Sequence, residues 1–205
     1  MTEVERLIQR LKRTQHGFTD IRAAADELAQ RPACERLTLA KALFAAEVSQ
    51  ARMLATFLFG DVAAHSKASL RFMRSRISRD ADWRVQETLR VAQAFDRFCR
   101  DTGYEAALLV IRDWLVDEHP NARRAVTEGL RIWTARPFFR ERPELAIELL
   151  AALRADESEY VRKSVGNALR DISRKHAVLV RAELRTWDAA DKRVALTYKL
   201  ASQFL

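Results

Sequence analysis

Asp80-Ala-Asp-Trp-Arg-Val85-Gln86-Glu87, Asp117-Glu-His-Pro-Asn-Ala122-Arg123-Arg124 and Asp156-Glu-Ser-Glu-Tyr-Val161-Arg162-Lys163 share one frame. Each sets down an acid, four residues, a small apolar residue, a polar or basic residue and a charged one. Each follows an apolar helical run and opens another. The frames start 37 and 39 residues apart, the period of two-helix solenoid repeats rather than of a single globular core. Such a repeat sets equivalent positions in a row along one wall, where an extended partner can lie.

Composition agrees with helices. Ala, Leu, Arg and Glu dominate, and only 5 Gly and 4 Pro interrupt 205 residues, which favours helix over turns. Period-2 alternation is almost absent, so the expectation is an all-α chain, an α-solenoid of about six helix pairs. The length fits one domain over 1–205. Within it, 1–79 holds less regular N-terminal helices, 80–187 the clearest repeats and 188–205 a terminal helix. Apolar residues make up 48%, enough for a sizeable core.

Charge points to a partner. Thirty-six Lys and Arg stand against 28 Asp and Glu, a net +8, and a basic domain favours polyanions, nucleic acid foremost. Cys34 and Cys99 are isolated, without metal-ligand spacing, and read as buried small apolar residues in a reducing compartment. No apolar run is long enough for a bilayer, and Met1-Thr-Glu-Val-Glu-Arg6 has no apolar signal core. The expectation is a cytoplasmic monomer, with no membrane partner and no sign of a metal or organic cofactor.

The pass along the chain gives helices over 3–15, 19–30, 35–64 with an interruption near Val48 and Ser49, and 66–78, whose end carries Arg71, Arg74, Arg76 and Arg79. The regular part follows: 83–100, 104–116, 120–134 with Pro120 in its first turn, 144–154, 158–175 capped by Ser158, 176–187, and a last helix opened by Asp188 or Asp191.

Overlaying the frames makes Glu87, Arg124 and Lys163 equivalent, then Val91, Glu128 and Asn167, then Phe95, Ile132 and Asp171. Residues four apart share a helical face. If neighbouring repeats stack in parallel, the three strips adjoin, joining Trp83, Glu87, Arg124, Glu128, Lys163, Asn167 and Asp171. The same pattern also suits a structural ladder, since Arg124 with Glu128 fits an i,i+4 pair worth a few tenths of a kcal/mol. Trp83 at a helix start also fits core packing. Trp114, Trp133 and Trp187 read as core or inter-repeat packing.

From about Asp82 to Trp187 the chain resembles the AlkC/AlkD-type DNA alkylation repair proteins, which are built of HEAT-like repeats. The strings that carry it are Trp83-Arg-Val-Gln-Glu87, Asn121-Ala-Arg-Arg124-Ala-Val-Thr-Glu128-Gly129 and Tyr160-Val-Arg-Lys-Ser-Val-Gly166-Asn167-Ala-Leu-Arg-Asp171. The resemblance implies a DNA glycosylase for cationic N3- and N7-alkylated purines, with Glu87 as the central catalytic carboxylate and Asp171 or Glu128 assisting. It implies a DNA contact for Arg124 and a tryptophan at Trp83, which suits the cationic nucleotide; Arg162 and Lys163 are expected to join Arg124 on DNA phosphates. Asn167 stands where the AlkD-like branch has a second lesion-facing tryptophan, so that aromatic cradle is incomplete. Two other functions suit the same repeats: a non-catalytic binder of branched or damaged DNA, and a protein-binding helical scaffold.

Overall fold

The computed structural model describes residues 1–13, 17–90 and 94–205, the side chain at 90 excepted. The slot expected at Val91 therefore lies outside the described residues. All regular structure among the described residues is helical. The chain falls into two compact units, Met1–Gly103 and Tyr104–Leu205.

The first unit holds α1 (Glu3–Leu11), α2 (Thr19–Leu28), α3 (Ala33–Phe44), α4 (Ser49–Val62), α5 (Lys67–Phe72), a π-helical turn (Met73–Ile77), α6 (Trp83–Arg90) and α7 (Ala94–Thr102). Thr2 opens α1 with a capping box, its hydroxyl accepting from the Glu5 N–H at 3.2 Å while Glu5 accepts from the Thr2 N–H at 2.7 Å. Gly17 and Gly103 sit at φ 81° and 86°, a conformation that glycine adopts without a Cβ penalty, so the chain can turn there. Phe18 stands at the N-cap of α2 and makes no side-chain cap.

The second unit holds α8 (Tyr104–Leu115), α9 (Pro120–Trp133), α10 (Pro137–Arg140), α11 (Pro143–Ala151), α12 (Glu159–Leu184) and α13 (Lys192–Ala201). Pro120, Pro137 and Pro143 each sit in a first helical turn, where a missing N–H costs nothing. The backbone of α12 breaks at His176 (φ −129°, ψ 42°), between the two runs that the sequence divides there. Trp114, Trp133 and Trp187 are buried, and Trp133 lies within 5.6 Å of the Tyr104 ring and 6.0 Å of Phe139, centroid to centroid. Cys99 is buried as expected, but Cys34 is exposed, because the first turn of α3 leaves it on the outer face.

The repeated frame has a local cause. In each copy the first acid accepts the N–H two residues on: Asp82 N to Asp80 at 2.8 Å, His119 N to Asp117 at 2.7 Å and Ser158 N to Asp156 at 2.8 Å. In each, the side chain six residues on donates back to that acid's carbonyl: Gln86 at 2.6 Å, Arg123 at 2.7 Å and Arg162 at 2.5 Å. The frame is thus an Asx turn clamped to the helix it opens. It also corrects one expectation, for Ser158 makes no side-chain cap on α12. The Asp156 carboxylate takes over the orphan N–H at that turn.

Successive copies then stack in register. Between α9 with its entry turn and α12 with its own, contacts join Arg123 to Asp156, Arg124 to Tyr160, Thr127 to Ser164 and Arg131 to Asp171. Residue numbers rise together on both sides of these contacts, so the two helices run parallel. Gly166 permits the next layer, since a Cβ there would meet Leu200 Cβ at 2.6 Å and the Thr197 carbonyl oxygen at 3.0 Å. Gly166→Ala is expected to lose about 1–2 kcal/mol by urea denaturation, because overpacking outweighs the helix-propensity gain of about 1 kcal/mol.

Candidate functional site

In the first unit, the start of α6 is held against α4. Arg52 Nε lies 3.3 Å from Asp80 Oδ2 and Arg52 Nη2 lies 3.8 Å from Asp82 Oδ2. Ser49 donates to Asp82, and Arg84 Nη2 reaches Ser49 Oγ at 2.8 Å and Asp82 Oδ2 at 3.0 Å. Asp82 Oδ1 also accepts the Arg84 N–H at 2.9 Å, capping α6.

Burial pushes the Asp82 carboxyl up. Hydrogen bonds from Arg84, Ser49 and the Arg84 backbone outweigh burial and bring it down to about 2, from 3.8. A lowered folded-state value means that the stabilisation is complete above about pH 4 and disappears as pH falls through 2. Solvent screening at this partly open site leaves a contribution on the order of 1 kcal/mol. Asp82→Asn is expected to flatten the acid limb of stability against pH between 4 and 2, read from urea midpoints; an unchanged limb would place the sensitive carboxylate elsewhere.

This clamp fixes what α6 presents. Trp83 leaves the first turn with 67% of its surface exposed, which removes the core alternative for it. Glu87, one turn on and part-buried, shares its face. A large indole kept in water at considerable hydrophobic cost, one turn from a carboxylate, is suited to hold a flat cationic group and place negative charge beside it.

The second unit brings Arg124 and Glu128 of one predicted strip together with Asp171 of the next. Glu128 Oε1 accepts from Ser164 Oγ at 2.8 Å, and Ser164 Oγ lies 2.6 Å from Thr127 Oγ1. Arg124 Nη2 is 3.8 Å from Glu128, and Arg131 bridges Glu128 at 3.1 Å and Asp171 at 3.2 Å. Arg170 adds a 3.1 Å contact to Asp171. Two carboxylates therefore face three guanidinium groups, leaving a net positive balance. The Arg124 guanidinium lies over the Tyr160 ring at 4.7 Å, and Tyr160 is itself exposed. Both acids are bound up in orienting arginines.

The remaining predicted residues lie apart from this cluster in their contacts. Lys163 is exposed and pairs with Glu159 at 2.6 Å, which holds the Glu159 carboxyl below its usual value. Arg162 Nη1 turns back to the carbonyls of Asp156 and Glu157 at 2.5 and 3.0 Å. Asn167 is part-buried on α12. Tyr160, Arg131, Arg170 and Ser164 do not stand out as site residues in the sequence. Their only signal is position: Arg131 and Arg170 lie close in sequence to Glu128 and Asp171, and Tyr160 and Ser164 come level with Arg124 and Glu128 once α9 and α12 are aligned. Among the described residues no group of three or more His, Cys, Asp or Glu is placed to hold a metal, and no helix is long and apolar enough to cross a membrane.

Residues 9–201 match the family model described as DNA alkylation repair enzyme. Two solved structures from Streptococcus mutans share the fold over nearly the whole length. One is AlkD2, 46% identical with TM-score 0.93, covering 98% of this chain and 97% of that one. The other is smu.31 from strain UA159, 44% identical with TM-score 0.91 and the same coverage. A more distant likeness is to the Pseudomonas fluorescens alkylpurine DNA glycosylase AlkC bound to DNA containing an abasic site analog. It is 22% identical with TM-score 0.50, and the match covers 98% of this chain and 64% of that one. Among curated proteins, an uncharacterized Bacillus subtilis protein, YhaZ, is 37% identical over 78 residues, 36% of this chain and 22% of that protein's length.

Proposed function

The chain belongs to the DNA alkylation repair enzyme family, and on that premise we propose that it is a DNA glycosylase releasing cationic N3- or N7-alkylated purines. The observation that carries this reading is the α6 face, where an indole 67% exposed stands one turn from the Glu87 carboxylate. Alkylation at a ring nitrogen makes the base cationic and therefore a good leaving group. No strong acid is needed to protonate it. The C1′–N bond breaks, its electron pair neutralises the departing base, and positive charge develops on the sugar.

A carboxylate beside that sugar stabilises the oxocarbenium-like state and can take the proton from a water adding to C1′. Glu87 has this role, and Trp83 holds the cationic nucleotide through its face, worth roughly 0.5–2 kcal/mol. Arg124, with Arg131 and Arg170, contacts phosphates, while Glu128 and Asp171 set the positions of those arginines. DNA as partner accords with the AlkC relative, whose solved structure is bound to DNA containing an abasic site analog.

Asn167, where the AlkD-like branch has its second tryptophan, favours a second reading, a binder of branched or damaged DNA without chemistry. One assay separates the two. Methylated DNA incubated with excess protein releases free alkylpurine if the first reading holds. Junction-selective gel shifts without any released base would establish the second.

A further inference from the structure

The segment 67–79 carries Lys67, Arg71, Arg74, Arg76 and Arg79 and no acid, five positive charges in a chain whose whole excess is +8. None of these five residues belongs to the α6 face or to the α9–α12 cluster. α5 and the π turn bury Ser69, Met73 and Ile77, and Ser69 Oγ anchors this inner side by donating to the Phe59 carbonyl at 2.7 Å. Lys67, Ala68, Arg71, Ser75, Arg76 and Arg79 face solvent. Lys67, Arg71 and Arg76 make no ion pair among the described residues.

The π turn accounts for the alignment. Residues four apart drift about 40° per step round an α-helix, so a long stripe at that spacing would wind out of the surface. The wider π turn winds the drift back. Ser69, Met73 and Ile77 thereby stay inward and Lys67, Arg71 and Ser75 stay outward. The small Ala68 and Ser75 between the cations let a backbone come close. From Lys67 to Arg79 the line is about 18 Å long, enough to follow about three successive phosphates of one strand. The π turn packs directly on α6, the helix that carries Trp83 and Glu87.

We infer that segment 67–79 is a track for the phosphate backbone of a nucleic acid, packed beside α6 in the first unit. The inference deepens the DNA-directed reading above and rests on it. An acidic site beside a polyanion is unfavourable for plain binding, and this stripe offsets that repulsion in the same unit.

The test is the salt dependence of binding to unmodified duplex DNA between 50 and 200 mM salt. The triple variant Lys67→Gln, Arg71→Gln, Arg76→Gln is compared with Lys192→Gln, Arg193→Gln, Lys199→Gln, which removes the same charge from exposed positions on α13. The first triple is expected to lower the slope of log K against log salt by about 2–3, since each phosphate contact contributes about 0.9. The α13 triple is expected to leave the slope unchanged, and both should melt as the wild type does. Equal slopes for all three proteins, equal losses in both triples, or no binding by the wild type at 50 mM salt would each overturn the track. Base release from methylated DNA, measured in parallel, reports on Glu87 and does not enter the slope, so failure of that chemistry is seen separately.

Discussion

Arg123→Met is expected to destabilise the protein by about 3–5 kcal/mol, the largest stability loss among these substitutions. The reason is what remains behind. Arg123 Nε and Nη2 hold the two oxygens of Asp156 at 2.7 and 2.6 Å, and Nη1 donates to the carbonyls of Asp117 and Glu118 at 2.7 and 3.0 Å. The arginine side chain is 6% exposed and the aspartate 5%. Methionine fills much of the volume but leaves a buried carboxylate facing no cation and two carbonyls short of a donor. Asp156→Asn in the same chain removes the buried charge and can still accept the Ser158 N–H. The double variant should therefore be more stable than the sum of the two single losses, with a coupling of about 1–3 kcal/mol in urea denaturation. Additive losses would mean that the pair is not acting as a unit.

That pair shows what the sequence could disclose. The three frames were legible because each must supply the same Asx turn, so Asp80, Asp117 and Asp156 recur with helical runs on either side. Stacking of α9 on α12 was legible too, and it brought Glu128 and Asp171 to one arginine cluster. The partner of each frame was hidden. Gln86, Arg123 and Arg162 look like surface polar residues in a one-dimensional reading, yet each folds back on its own turn. The phosphate contact expected of Arg162 now competes with its bonds to the Asp156 and Glu157 carbonyls. Ala46-Glu-Val-Ser-Gln-Ala51-Arg52 resembles another copy, with alanine in place of the acid. Without an acid there the signature is absent, although Arg52 still reaches Asp80. Exposure was the other hidden quantity. A tryptophan and a tyrosine at helix starts suit core or surface equally, and only packing of the α6 and α12 entry turns left Trp83 and Tyr160 in water. The π turn is invisible to periodicity because an i→i+5 step has no residue preference of its own strength.

Glu87→Gln is expected to slow release of alkylated base by about 10²–10³-fold at saturating protein, with binding to methylated duplex within a few-fold of the wild type. Glutamine keeps the size, the helix propensity and one carbonyl oxygen, so α6 and the neighbouring Trp83 should stay in place. What it removes is negative charge at the point where the sugar becomes positive, an interaction worth much more in the transition state than in the bound ground state. The loss should therefore fall on the single-turnover rate rather than on the concentration needed for half saturation. It should also depend on the leaving group, because a cationic N7-alkylguanine departs without help from an acid, whereas an unmodified purine is a poor substrate for either protein. A rate unchanged by the substitution would remove Glu87 from the chemistry. A loss of binding equal to the loss of rate would make it a ground-state contact, and the catalytic charge would then have to be sought in another carboxylate.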